Sequence, residues 1–90
     1  MRMSVVIYSD EYTGLSSTYI YGTVLLKEDT YYDMYQAQEA TEMFVKKTFI
    51  YADAISARAG TVSFDMLKSD GSLDYVGKLK YKTVETLEME

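Results

Sequence analysis

The sequence predicts an α+β fold, a small antiparallel sheet of about four strands (ββαββ order) with one long helix packed on one face. Three observations predict it. Apolar side chains alternate with period two near both ends of the chain, and an apolar stripe at three- and four-residue spacing lies between them. Turn residues separate the members of each strand pair. Two hairpins joined by a helix most simply form one sheet that the helix covers on one face.

The composition predicts a single globular domain over residues 1–90, because 48% of the residues are hydrophobic and 26% are charged. The chain contains no cysteine and no histidine. It therefore lacks disulfides, thiolate metal sites and the commonest general base and metal ligand. We expect no metal, no cofactor and no catalytic residue.

The first hairpin is predicted from residues 3–9, which are β-branched and aromatic, and from residues 17–27. Asp10 and Gly14 mark the loop between them. Alternation divides the second strand into two faces, with Tyr19, Tyr21, Thr23 and Leu25 on one and Ile20, Gly22, Val24 and Leu26 on the other. Both faces are substantially apolar, which predicts a central strand or a sheet face covered from outside this chain.

A helix is predicted over residues 31–47, with Asp29 or Thr30 as its N-cap. Its stripe consists of Met34, Ala37, Thr41, Phe44, Val45 and Thr48. Residues 48–59 have two interpretations. Their alanines favour a helix that continues to about Ala59, whereas lysines near residue 47 suit a helix end followed by an extra strand. We adopt the helical interpretation.

The last third predicts a second hairpin, from residues 60–67 and 72–84 around a turn at residues 68–71. The acidic tail, residues 85–90, is expected to be frayed. Alternation places Lys78, Lys80 and Lys82 on one face of the last strand. Such a stripe can bind single-stranded nucleic acid. In an acidic chain we favour an edge strand that lysines protect from aggregation, or an interaction with the acidic tail.

Charge and motifs exclude several function classes. The net charge of −5 is a poor match for nucleic acid, so no direct nucleic-acid binding is expected. No nucleophile elbow, phosphate loop or dinucleotide motif is present, so we expect neither an enzyme nor a small-molecule substrate. No apolar run approaches the roughly 18 residues of a membrane span, and the N-terminal apolar run is too short for a signal peptide. We expect no membrane partner and a cytoplasmic location, in the producing or host cell.

The region before and within the predicted helix is rich in carboxylates and tyrosines. Carboxylates around a rigid helix can imitate the phosphates of DNA and occupy a basic groove on another protein, and tyrosine is enriched at interfaces. A solvated helix face with an acidic first turn is the alternative. The candidate partner-binding residues are Glu28, Asp29, Tyr31, Tyr32, Asp33, Tyr35, Glu39 and Glu42.

In size, acidity and lack of catalytic residue types, the chain resembles the small accessory proteins of bacteriophages. These include anti-restriction and anti-CRISPR inhibitors, and the resemblance implies stoichiometric binding without naming any functional residue. We therefore expect an inhibitor or regulator that binds a protein target, at a surface used for nucleic acid. The alternative is a structural or assembly protein that forms a homodimer through an open sheet face, with Tyr19, Tyr21, Tyr75 and Tyr81 as contacts.

Overall fold

A computed structural model describes residues 2–12, 16–26 and 34–86, which form five antiparallel strands and one helix. The elements are β1 (Met3–Tyr12), β2 (Ser16–Leu25), α1 (Met34–Thr48), β3 (Ala52–Arg58), β4 (Thr61–Leu67) and β5 (Leu73–Glu85). The sheet order is β2-β1-β5-β4-β3, so the first and last strands are neighbours in the middle. The predicted α+β class is confirmed, with five strands instead of about four.

The prediction that residues 48–59 continue the helix is wrong. Helix α1 ends at Thr48, where the Phe49 N–H donates to the Val45 carbonyl at 2.8 Å, and a turn leads into β3. Helix propensity differs by only tenths of a kcal/mol between ordinary residues, so tertiary contacts override it. Here β3 pairs with β4, and buried Ala57 belongs to the core beside α1. Ala57, one of the alanines that suggested a helix, is instead a small strand residue over which α1 packs.

The predicted stripe of α1 is confirmed at three buried positions, whereas Phe44 is half-buried and Thr48 is exposed. Ala37, Thr41 and Val45 are buried, and the Thr41 hydroxyl donates to the Ala37 carbonyl at 2.7 Å. Lys46 and Lys47 lie in the last turn, where cations stabilise the negative end of the helix dipole. The predicted helix start at residue 31 and its N-caps fall in residues 27–33, outside the described residues.

The core lies between α1 and one face of the sheet. Its sheet side consists of buried residues from the two central strands and from β4, namely Val5, Ile7, Val62, Phe64, Leu79 and Tyr81. The Phe49 ring stacks on Phe64 with centroids 5.4 Å apart, and the Tyr21 ring centroid lies 5.9 Å from that of Phe49. These aromatic contacts join β2, the end of α1 and β4.

A β-bulge in β2 changes which side chains share a face. Ile7 pairs with Gly22, but Tyr8 pairs with Ile20, so Tyr21 is the extra residue. A side chain at Gly22 would point at the Phe44 ring, and Tyr21 contacts Phe49, so both positions face the helix. The strict alternation predicted for the second strand therefore holds from Gly22 to Leu25 and is wrong at Tyr21, where the bulge lies.

The predicted second hairpin is confirmed as β4 and β5. Its turn is held by Asp70, whose carboxylate accepts hydrogen bonds from the Ser72 N–H at 2.9 Å and the Ser72 hydroxyl at 2.6 Å. Gly60 follows Ala59 in the two-residue β3–β4 turn. Both have positive φ, 82° and 50°, which is the requirement of a type I′ hairpin.

Over the described residues, no helix is both long enough and apolar enough to cross a membrane.

Candidate functional site

The face of the sheet opposite α1 carries the three lysines of β5. Lys78 pairs with Ser63 of β4, Lys80 with Thr61 of β4 and Tyr8 of β1, and Lys82 with Val6 of β1. These lysines therefore lie in the middle of the sheet. The edge-strand explanation for them is wrong, because β5 has neighbours on both sides. Successive lysines are about 7 Å apart at the usual strand rise.

A fourth basic side chain joins them from β3. Arg58 pairs with Thr61, which in turn pairs with Lys80, so all three lie in one row across the open face. We call Arg58, Lys78, Lys80 and Lys82 the basic face. The Lys82 ammonium lies 5.4 Å from the centre of the Tyr8 ring, within the range of a cation–π contact. Sequence reasoning missed Arg58, because it assigned this segment to a helix.

The basic face has apolar and acidic surroundings. Ile20, opposite Tyr8, is 59% exposed, and Val76, two residues before Lys78, is 63% exposed. Asp53 and Asp65 pair with each other across β3 and β4, and Asp65 also pairs with Val76. Carboxylates therefore lie at one end of the open face and cations at its centre. Four of the nine basic residues of an acidic chain share this one surface.

The structure describes only three of the eight residues predicted to form the acidic surface. Five of its eight residues, Glu28, Asp29, Tyr31, Tyr32 and Asp33, lie outside the described residues. Tyr35 is 72% exposed and Glu39 is exposed, so both are accessible to a partner. Glu42 is half-buried, and its carboxylate accepts a hydrogen bond from the Ala57 N–H at 3.1 Å. This contact gives Glu42 a role in holding β3 against α1.

The four tyrosines predicted to form an open face lie on the helix side of the sheet. Tyr81 is buried opposite Ile7, and Tyr75 pairs with Met66, which packs on the core. Tyr21 contacts Phe49, and the Tyr19 ring lies 4.7 Å from the Tyr21 ring. The surface opposite the helix is therefore basic and aliphatic instead of tyrosine-rich.

Two concave regions flank α1. A groove of about 430 Å³ separates α1 from β2 and is lined by Val24, Leu25, Leu26, Ala40, Met43 and Phe44, with Gln36, Glu39 and Lys47 also on its helix side. A wider cavity of about 730 Å³ lies between the first half of α1 and the β3–β4 turn, where Tyr35, Gln38, Arg58 and Gly60 are among its lining residues. Neither brings together the carboxylates or nucleophiles that an active site needs.

In the described part of the chain, no three acidic side chains come close enough to hold a metal ion. The site chemistry there is that of charged and apolar contact surfaces. Comparison with family models, with curated proteins and with solved structures finds no match to this chain.

Proposed function

We propose that this chain is a non-enzymatic protein-binding module whose basic face docks on an acidic, partly apolar segment of a partner protein. The observation that carries the proposal is the basic face itself, which gathers Arg58, Lys78, Lys80 and Lys82 on the sheet face opposite the one helix of the described residues. The stoichiometric, inhibitor-like action expected of phage accessory proteins is part of this proposal. Occupancy of a partner surface requires only contact residues and no catalytic groups.

The size and surroundings of the basic face favour a protein over a nucleic acid. Lys78 and Lys82 are about 13 Å apart along β5. A short extended segment with acidic side chains is long enough to contact both lysines. A polyanion that extends along the same face would meet Asp65 and Asp53. The net charge of −5 would repel it at longer range. Exposed Ile20 and Val76 supply the apolar contact that protein interfaces bury at their centre.

A second candidate surface is the part of α1 that carries Tyr35 and Glu39, which would meet a basic partner. The exposed ring of Tyr35 and the exposed carboxylate of Glu39 support it. This is the nucleic-acid mimic expected from the sequence, and it needs a partner of opposite charge to that of the basic face. The two candidates are therefore separable by the charge of the probe.

The test titrates the protein with an acidic peptide of alternating Glu and Leu, a single-stranded oligonucleotide of equal charge and a lysine-rich peptide. Binding is followed by NMR and calorimetry. We expect the acidic peptide to bind and to shift β5 resonances. In Lys78→Glu/Lys82→Glu, binding should weaken at least tenfold, or about 1.4 kcal/mol.

The matched control is Lys46→Glu/Lys68→Glu, which changes the net charge equally at exposed positions on α1 and the β4–β5 turn. It should bind the acidic peptide like the wild type. Equal weakening in both variants would show that only net charge matters and would refute the basic face. Tighter binding of the oligonucleotide would assign the face to nucleic acid. Binding of only the lysine-rich peptide would favour the acidic surface.

A further inference from the structure

The two edges of the sheet differ in how they are protected. Edge strands leave a row of N–H and C=O groups that can pair with another chain, and proteins usually block them with charges, bulges or covering groups. Strand β3 has such protection. It carries Asp53 and Arg58, its pairing with β4 is interrupted between Asp53 and Ser56, and Glu42 accepts the Ala57 N–H.

Strand β2 lacks most of this protection. Its ten residues include no charged residue and no proline, and among the described strands only β1 pairs with it. Its bulge is at Tyr21, so the stretch from Gly22 to Leu25 keeps a regular register with β1. An uncharged, regular edge of this kind can accept another strand.

The groove beside this edge is apolar and open. Met43 is 50% exposed and Leu25 is 49% exposed, although both line the groove. A strand added to β2 would lie along the groove and cover Val24, Ala40 and Phe44 as well. The outer edge of β2, which no other described strand pairs with, and the apolar groove therefore mark one continuous docking surface, which runs along β2 and the adjacent side of α1.

The charges of α1 indicate which occupant fits. The helix side of the groove has Glu39 towards one end and Lys47 towards the other, about 12 Å apart at 1.5 Å per residue. In a two-fold symmetric arrangement, α1 runs antiparallel to its copy, and Lys47 of each helix approaches Glu39 of the other. The same operation places Met43 of one helix opposite Met43 of the other, because residue 43 lies midway between 39 and 47. The surface is thus complementary to itself.

We propose that two copies of this chain associate edge to edge through β2, with the two α1 helices antiparallel across the axis, to form a ten-stranded sheet. The two-fold axis passes near Val24 on β2 and near Met43 on α1. Each patch then meets the same patch of the other copy, as closed symmetry requires. This dimer differs from the tyrosine-mediated dimer expected from the sequence, and it leaves the basic face of both copies open.

Sedimentation equilibrium across micromolar concentrations tests the dimer. We expect a species of twice 10.3 kDa. Met43→Glu, which places a charge in the groove, should weaken association at least tenfold. The matched control is Ile50→Glu, which also replaces an exposed apolar side chain but lies outside the groove, and it should associate like the wild type.

Charge exchange supplies a second readout that does not depend on the groove's packing. Glu39→Lys alone and Lys47→Glu alone place like charges across the axis and should each weaken association. The double variant Glu39→Lys/Lys47→Glu should restore it. Both residues are exposed, so these variants keep the fold, which circular dichroism verifies.

Three results would overturn the proposal: a strict monomer at several hundred micromolar, a dimer that Met43→Glu leaves intact, or a double variant that stays as weak as the single ones. A monomer that instead binds an extended apolar peptide at β2 would assign the edge to a different occupant. Failure of the basic-face titration would leave this result unaffected, since the two surfaces share no residue.

Discussion

At the scale of the residue, Asp70 shows how a single side chain organises a turn. The hydroxyl and the N–H of Ser72 both donate to its carboxylate and lower the pKa of Asp70 from its ordinary value. A carboxyl whose pKa is lower in the folded protein stabilises that state above the unfolded pKa. The contribution is lost as the pH falls through the folded pKa. Because Asp70 is exposed, the effect belongs to the turn more than to global stability.

We predict that Ser72→Ala raises the pKa of Asp70 towards its ordinary value, since it removes the hydroxyl that contributes most to the shift. The backbone N–H of residue 72 keeps part of the effect. Carboxyl-carbon NMR through an acid titration measures the change. Ser69→Ala, on the other side of Asp70, is the control and should leave this pKa in place. An unchanged pKa in Ser72→Ala would contradict the role of the hydroxyl.

The sequence predicts the placement of some site residues correctly and misses others. Alternation alone placed Lys78, Lys80 and Lys82 on one face, and β5 keeps that spacing. Arg58 could not be added to them, because its neighbour in the sheet is set by pairing between β3 and β4. Glu42 was among the predicted partner-binding residues, and its bond within the fold was missed, since a hydrogen bond to an amide fifteen residues away leaves no local signal.

At the scale of the element, β4 and β5 pack closely against each other at one cross-strand pair. Phe64 lies opposite Gly77, and its ring occupies the place where a side chain of residue 77 would begin. The ring cannot move aside freely, because it also stacks on Phe49. Glycine is therefore required by the close approach of the ring, and its backbone here is not in the left-handed region.

We predict that Gly77→Ala lowers the free energy of unfolding by about 1–3 kcal/mol, the usual cost of overpacking a core. Urea unfolding measures it. Lys78→Ala, the next residue and an exposed one, should change stability by no more than about 0.5 kcal/mol. In a Phe64→Leu background the cost of Gly77→Ala should shrink, because the two positions are in contact. An equal cost in both backgrounds would show that the ring is not the cause.

The elements that the sequence predicts well are those with local signals. Both hairpins have turn residues between alternating segments, and α1 has its stripe. Strand β3 has no such signal, because its alanines favour a helix and its pairing with β4 skips residues between Asp53 and Ser56. The bulge at Tyr21 likewise shifts side chains between faces without any mark in the hydrophobic pattern.

At the scale of the whole molecule, the sheet order joins the two hairpins through β1 and β5, which lie at its centre. Local patterns cannot predict this pairing, because the partners Met3 and Glu85 are far apart in the chain. Amino-acid composition also cannot show where charged side chains cluster on the surface. A net charge of −5 argued against a basic surface, yet the fold gathers four cations on one face.

We predict that amide hydrogen exchange is slowest in β1 and β5, at Val5, Ile7, Leu79 and Tyr81. These residues are buried, and their strands pair on both sides, so their amides open only in global unfolding. Amides of β3 should exchange faster through local opening at the edge. NMR-detected exchange measures both. Slower exchange in the β3–β4 hairpin than in the central pair would contradict this order.

The central place of β1 also governs how the chain can fold during synthesis. Residues 3–12 are synthesised before the other described strands, yet the strand that flanks β1 on its inner side, residues 73–85, is synthesised after all of them. Until that segment leaves the exit tunnel, Val5 and Ile7 have no partner strand on this side. Until then, the β1 and β2 segments must stay unfolded or be protected from contact with other chains, since exposed apolar strands in incomplete chains aggregate. Completion of the sheet therefore waits for the synthesis of β5, and folding depends on a contact of very long sequence separation.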